Sequence, residues 1–320
     1  MALTIAVLMD PIESINPKKD STLAILREAN GRGHHCYFVG PSGLTLRDGK
    51  VYASAARLLV GGADEPALRC EAASEHPTSA FDVLLMRKDP PFDMEYVYTT
   101  YLLERVVATG TPVFNDPRTL RDFNEKLAIS HFAHCAPPTL VTRDPNKVRA
   151  FIAEHGGAIV KPLEGMGGFS IFRVVAGDPN TNVIIETMTH FGRRYTMVQR
   201  YVPEISEGDK RIIVIDGEPM PGALARIPAA GDSRGNLAAG ASIRGVELSE
   251  RDRWICAQVG PELRRRGVLF CGLDVIGDFL TEINVTSPTG IQEIDRLFSL
   301  NIAGALLDAL ERRLSNPTSA

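Results

Sequence analysis

Residues 273–290 read LDVIGDFLTEINVTSPTG, two apolar runs of strand length on either side of Gly277 and Asp278. A three-residue hairpin loop at Gly277, Asp278 and Phe279 sets Ile276 opposite Leu280 and Asp274 opposite Glu282. Side chains two apart in a strand share a face, so Asn284 stands beside Glu282. Three oxygen-bearing side chains then converge on one patch of an otherwise apolar sheet. Two carboxylates that close repel each other, and burying them unpaired is costly, so the pattern asks for a cation between them. Hard oxygen donors with room for waters and phosphate suit magnesium. The alternative is a hairpin whose polar residues face solvent.

Outward from that hairpin, KPLEGMGG (161–168) places Lys161 at the end of an apolar strand, just before Gly165, Gly167 and Gly168. Glycines let backbone N–H groups approach phosphate oxygens, and the lysine supplies a compact cation for the same oxygens. No GK[ST] follows, and SIFRV (170–174) reads as a returning strand. The pattern is therefore neither a P-loop nor a dinucleotide fingerprint. A plain hairpin turn is the other explanation of the glycines. Residues 222–245 hold twelve glycines and alanines among 24 residues, with Arg226, Arg234 and Arg244 between them. Low bulk over such a length suggests a lid or a surface insertion, and arginines on a lid close over carboxylate or phosphate.

The first 120 residues alternate strand and helix signals. LTIAVLM (3–9), HCYFV (35–39), FDVLLM (81–86) and TPVFN (111–115) read as strands, and Asp48-Gly49 as a hairpin turn. Helices are expected from Asp20 or Ser21, from Asp93 with Tyr98, Leu102 and Val106 on one face, and over 123–134. That alternation predicts a parallel sheet whose ligand-binding edge carries the loops 10–19 and 87–92. Further on, a helix opens at Pro145, Asp216-Gly217 turns a hairpin, and Ser249 with Asp252 has capping-box spacing.

A length of 320 residues allows roughly two domains. The net charge of −4 argues against nucleic acid as the main partner, and no apolar run approaches a membrane span. MALTIAVLMD lacks a basic stretch before its apolar run, so a cytoplasmic protein is expected. The five cysteines are scattered without a CxxC pair and read as reduced thiols; the seven histidines form no HExxH pattern and read as surface or helix-end residues. With no GxSxG elbow and no catalytic Cys-His signature, what remains is a lysine and glycine loop, a carboxylate metal site and an arginine-bearing loop. That set points to nucleotide-dependent chemistry.

The order of Lys126, Lys161 with its glycines, VQRYVP, and then Asp274, Glu282 and Asn284 resembles the ATP-grasp ligases. More narrowly, MDPIESINPKKDST (9–22), LLMRKDPPFD (84–93), LRDFNEKL (120–127), KPLEGMGG, ARIPAAGDSRGNLAAG (225–240) and GLDVIGDFLTEINVTSPTGI (272–291) resemble the bacterial type of glutathione synthetase. The resemblance implies an α/β protein, α+β in its C-terminal part. An ATP-grasp fold would follow an N-terminal parallel-sheet α/β substrate domain. The implied units are 1–122, a small ATP-grasp subdomain over 123–203, and a C-terminal subdomain over 204–320 with an arginine lid and a magnesium site.

Carried over by position, Lys126 and Lys161 would meet the ATP phosphates with Gly165, Gly167 and Gly168, adenine would meet Gln199, Tyr201 and Val202, and Asp209 the ribose. Asp274, Glu282 and Asn284 would hold Mg2+, with Mn2+ as an alternative. Lys18, Arg87, Arg226, Arg234, Ser287 and Thr289 would surround γ-glutamylcysteine, Arg226 and Arg234 with a catalytic part. Glycine is the implied second substrate and a homotetramer the implied assembly. Two departures from the family pattern stand out, at Gly240-Ala241-Ser242-Ile243-Arg244 and at Gln292. The alternatives are another ATP-grasp ligase joining a different carboxylate and amine, and a nucleotide-binding module that has lost catalysis.

Overall fold

The amino-terminal apolar run becomes β1 (Thr4–Leu8), buried from Ile5 onward because both faces of its sheet are covered. In the computed structural model, residues 2–61, 66–165, 168–229 and 240–316 are described. β1 pairs in parallel with β2 (His35–Arg47) and β6 (Val83–Met86), and β6 with β7 (Val113–Phe114). The sheet is not wholly parallel as the alternation predicts. The Asp48-Gly49 turn, with both residues at positive φ, folds β3 (Lys50–Val60) back antiparallel on β2. β4 (Leu68–Cys70) and β5 (Ser74–Pro77) then extend it. Asp20 caps α1 (Ser21–Gly31) by accepting from the Leu23 N–H, and Asp93 caps α2 (Met94–Ala108) through Tyr96.

Two helix expectations need correction. The buried face of α2 is Tyr96, Thr100, Leu103 and Val106, while Tyr98 is 52% exposed; only Val106 belongs to the stripe expected from sequence. The expected helix over 123–134 is instead α3 (Pro117–Asp122) followed by a 3-10 stretch, Leu127–Phe132. Asn124 explains the break: its Oδ1 accepts from the backbone of Lys126 and Leu127, which offers those N–H groups an alternative to a helix.

A second sheet has the order β10-β9-β11-β8. Its strands are β8 (Thr139–Thr142), β9 (Gly157–Pro162), β10 (Phe172–Val175) and β11 (Thr196–Arg200). α4 (Pro145–His155) and α5 (Thr181–Thr189) cover it through Val148, Ile152 and Ile185. The third sheet is antiparallel throughout, in the order β14-β13-β12-β15-β16. It is built from β12 (Asp209–Ile215), β13 (Glu218–Ile227), β14 (Ser242–Glu247), β15 (Phe270–Ile276) and β16 (Phe279–Asn284). α6 (Glu250–Arg265) opens on the expected capping box, and α7 (Ile291–Phe298) and α8 (Ile302–Ser315) follow β16.

Within 222–245, residues 222–227 and 242–245 are therefore strand rather than loose loop, while 230–239 lie outside the described residues. Gly222 and Gly245 answer to packing: a Cβ on either would stand 2.6 Å or 3.0 Å from the Phe298 ring. α8 returns to the first sheet, sharing a core with Ile5, Leu23 and Leu26, and Arg32, just past the end of α1, bonds Asp308 and the Gly304 carbonyl. His34 is likewise buried, not at the surface, its Nε2 3.0 Å from Glu311. The carboxyl ends of β1 and β6, the loop after β9 and the β15–β16 hairpin all open onto one cleft.

Candidate active site

Asp274 does pair with Glu282, by a different route from the one the sequence suggests. The turn holds only Gly277 and Asp278, Ile276 faces Phe279, and a bulge beside Asp274 restores the register. Asn284 donates to Asp274 Oδ2 at 3.2 Å. On the neighbouring strand Arg211 stands opposite Asp274 and grips it with both arms of the guanidinium, Nε to Oδ1 at 2.6 Å and Nη2 to Oδ2 at 3.1 Å. Gly272 makes this possible, since a Cβ there would lie 2.8 Å from the Arg211 Cδ. Arg226 Nη2 lies 3.0 Å from Asp274 Oδ2 and also pairs with Asp209. Arg226 is a buried residue of β13, not a lid residue.

These contacts set the charge states. Burial opposes ionisation of Asp274, but Arg211 and Arg226 outweigh it and hold the carboxyl well below the usual range. Glu282 is held low in the same way by Lys126 and Lys161. Burial pushes Asp209 up to about 7 despite Arg226, and burial with the nearby Glu282 raises Glu125. Lys126, Lys161, Arg211 and Arg226 thus interleave with Glu125, Asp209, Asp274 and Glu282, and it is Asp274 and Glu282 that they hold ionised.

Lys161 Nζ is 3.3 Å from Glu282 Oε1, and Lys126 Nζ is 4.0 Å from the same oxygen while pairing with Glu125. Lys126 also donates to the Gly165 carbonyl at 2.8 Å, tying the root of the glycine loop to the carboxylates. Gly165 and Gly168 have φ of +105° and +80°, a backbone that disfavours side chains; Gly167 lies outside the described residues. Next to Lys161 opens an apolar slot lined by Ile159, Ile171, Val202 and Ile205, with Gln199, Tyr201 and Asp209 at its edges. Gln199 donates to Thr139 Oγ1 at 3.1 Å, and the Arg173 guanidinium stacks 3.9 Å from the Tyr201 ring centre. Asp209 Oδ1 is buried without a hydrogen-bond partner.

The wider cleft, ≈ 1520 Å³ with its open mouth, carries Ser287 and Thr289 on its wall. Lys19, not Lys18, lines it; the neighbouring Lys18 is exposed. Arg87 is buried beneath the wall rather than on it, donating to Thr22 Oγ1 and the Pro288 carbonyl, each at 3.2 Å. Arg234 lies outside the described residues. Sequence reasoning missed Arg211, Glu125 and Glu293. Glu293, 5% exposed, faces the cleft from the first turn of α7 with its Oε2 unpartnered. Gln292 donates to the Asp20 carbonyl at 2.6 Å and so docks α7 onto the start of α1.

Could this site hold a divalent cation? Among the described residues no three His, Cys, Asp or Glu side chains gather as one cluster. The third oxygen donor here is the Asn284 amide, whose NH2 is already spent on Asp274 and which therefore leaves its oxygen free to coordinate. Asp274, Glu282 and Asn284 thus form a hard-oxygen set, and the four flanking cations keep the two carboxylates ionised. The donor set fits magnesium or manganese.

The N-terminal domain model of prokaryotic glutathione synthetase matches residues 3–121, and the ATP-grasp domain model of the same family matches 125–299. The chain belongs to the prokaryotic glutathione synthetase family. Glutathione synthetase of Xanthomonas campestris pv. campestris is 54% identical over 311 residues, covering 97% of this chain and 98% of that one. The enzyme of the same name from Pseudomonas putida is 53% identical over 316 residues, 98% of this chain and 99% of the relative. Among solved structures, D-cycloserine synthetase DcsG superposes with a TM-score of 0.67 over 97% of this chain and 99% of its own. Its 16% identity carries the fold alone.

No cysteine stands among the side chains that build this glutathione synthetase site. All five are free, four of them buried, and burial pushes the thiols up, Cys36 to about 11 and Cys256 to about 12. None is a thiolate near neutral pH. Replacing each singly by alanine is expected to leave turnover within about twofold of the parent, because the reactive form of a cysteine is absent. Steady-state kinetics of the five variants check this, and a folded variant with no activity would contradict it.

Proposed function

We propose that the chain joins γ-glutamylcysteine to glycine with cleavage of ATP to ADP and phosphate, forming glutathione. The carrying observation is the cleft in which four buried cations surround Asp274 and Glu282, between an apolar slot and the 286–290 loop. The slot beside Gln199, Tyr201 and Val202 takes adenine, and Asp209, with an oxygen to spare, takes the ribose. Lys126, Lys161 and the glycine loop take the phosphates. Asp274, Glu282 and Asn284 would hold Mg2+, or Mn2+, which when bound there neutralises phosphate oxygens.

The cysteinyl carboxylate attacks the γ-phosphorus, ADP leaves, and the glycine amine displaces phosphate from the resulting acylphosphate, losing its proton. No enzyme nucleophile is required. The residues position the reactants and stabilise the charge on the transferred phosphoryl group, with Arg226 facing it from β13. We assign residues 1–122 to dipeptide binding, 123–203 and 204–320 to the two halves of the ATP site, and the whole to a cytoplasmic homo-oligomer, tetrameric by family resemblance. No described helix is long and apolar enough to cross a membrane.

ADP release with ATP and a panel of carboxylate and amine pairs tests the assignment. ADP formation should require γ-glutamylcysteine, and sustained product should require glycine as well. Turnover with D-alanine and none with γ-glutamylcysteine would favour a different ligase. Glu293 gives a sharper test at the dipeptide. Its free oxygen suits the substrate ammonium, and Glu293→Gln should raise KM for γ-glutamylcysteine about tenfold, as loss of one charge-assisted hydrogen bond does. Unchanged KM would remove Glu293 from the substrate site.

A further inference from the structure

A small side pocket opens off the main cleft where Pro90, Glu125, Gly165 and Thr286 line both spaces. Phe92, Leu120, Phe123 and Leu163 form its walls. Three of its polar side chains, Asn124, Glu125 and Glu164, are already engaged, Glu164 by Arg194, and the Thr286 hydroxyl stands at the mouth. Asn124 accepts from the Lys126 and Leu127 backbone and donates to the Leu163 carbonyl at 3.1 Å, and Glu125 is held by Lys126. What the pocket offers an occupant is therefore mainly the apolar surface of its walls. At ≈ 400 Å³ against ≈ 1520 Å³ for the cleft, it is small.

Its mouth is also well placed. Gly165 at that mouth is the residue whose carbonyl holds Lys126 at 2.8 Å, and Lys126 is assigned above to the phosphates. In the proposed reaction the carboxylate of the second residue of the dipeptide must reach the γ-phosphorus. The side chain of that residue branches from the carbon next to the reacting carboxyl, so it must fall close to the same lysine.

We propose that this side pocket receives the side chain of the second residue of the γ-glutamyl dipeptide and selects a short, uncharged one such as CH2–SH. The inference rests on the reading that a γ-glutamyl dipeptide is the substrate. It makes Phe92 and Leu163 specificity-determining residues. A larger or branched side chain would meet the rings, and a glycine in that position would leave apolar walls uncovered.

The test compares kcat/KM for γ-glutamylcysteine, γ-glutamylglycine and γ-glutamylleucine within each variant, so any general loss of folding or ATP binding cancels. Leu163→Phe, which fills the pocket, should cut the preference for γ-glutamylcysteine over γ-glutamylglycine about tenfold, the size of a small-group discrimination in an apolar pocket. Phe92→Ala, which enlarges it, should raise γ-glutamylleucine relative to γ-glutamylcysteine by about the same factor. Preferences equal to those of the parent in both variants would overturn the assignment of the pocket alone. Absence of turnover with any γ-glutamyl dipeptide in the parent protein would overturn the underlying reading with it.

Discussion

Replacing Glu282 with glutamine lowers turnover by about a hundredfold or more and leaves the fold intact, the usual cost of removing one preorganised electrostatic contact. The side chain sits on β16 with its Oε1 3.3 Å from Lys161 and 4.0 Å from Lys126. Both ammonium groups hold it ionised against its burial. Glutamine keeps the shape, and its carbonyl oxygen still accepts from Lys161. What disappears is one of the two negative charges, on Asp274 and Glu282, that the surrounding cations hold ionised. Two consequences follow: the lysines lose a counterion that organises them before phosphate arrives, and the hard-oxygen set loses half its anionic charge. A divalent cation is then held more weakly, so excess Mg2+ should restore part of the activity. Turnover across a magnesium titration, with circular dichroism as the folding control, reads both effects. Near-parent turnover at ordinary magnesium would reduce the hairpin to a polar surface patch.

The reason Glu282 was legible from sequence is instructive. A three-residue turn without a bulge and a two-residue turn with one both set Asp274 opposite Glu282, so the pairing survives an error in the turn. Strand alternation then carries Asn284 along. The capping residues Asp20, Asp93 and Ser249 were readable for a similar reason, because a cap depends on a few adjacent positions. Arg211 was not readable. In KRIIVID it looks like a polar residue at the start of a strand, and only the β12–β15 register puts it against Asp274. Glu293 on α7 and the adjacent pair Lys18 and Lys19 pose the same difficulty, since which side chain enters the cleft depends on helix and loop orientation. α5 was missed because TNVIIETMT is rich in β-branched residues, and its helix rests on packing of Ile185 and Met188. Arg226 was found for a partly wrong reason: it stands on a strand, where Gly222 and Gly245 leave room for the Phe298 ring, and not on a loose loop.

Arg211→Lys is expected to lower turnover about 10- to 100-fold, the range seen when a partner that orients a metal ligand is lost. The exchange keeps the charge, yet it is not conservative at a site that uses the planar fork. Arg211 makes three separate bonds, two to the Asp274 oxygens and one from Nη1 to the Thr289 carbonyl at 3.1 Å. It therefore couples the carboxylate set to the loop that presents Ser287 and Thr289 to the cleft. A lysine ammonium reaches one of these partners, not all. Asp274 keeps Arg226 at 3.0 Å and Asn284 at 3.2 Å, so it is not left without a cation. The stability loss should therefore fall below the about 3–5 kcal/mol typical of stripping a buried charge of its partner. The kinetic pattern separates this variant from Glu282→Gln. Because the 286–290 loop loses an anchor, KM for the dipeptide should rise together with the fall in kcat, whereas Glu282→Gln should spare the dipeptide KM. Kinetics at saturating ATP and magnesium, beside thermal unfolding, make the comparison. A parent-like kcat and KM would mean that Arg226 and Asn284 alone orient Asp274, and that the fork on Arg211 is only a packing solution in the space left by Gly272.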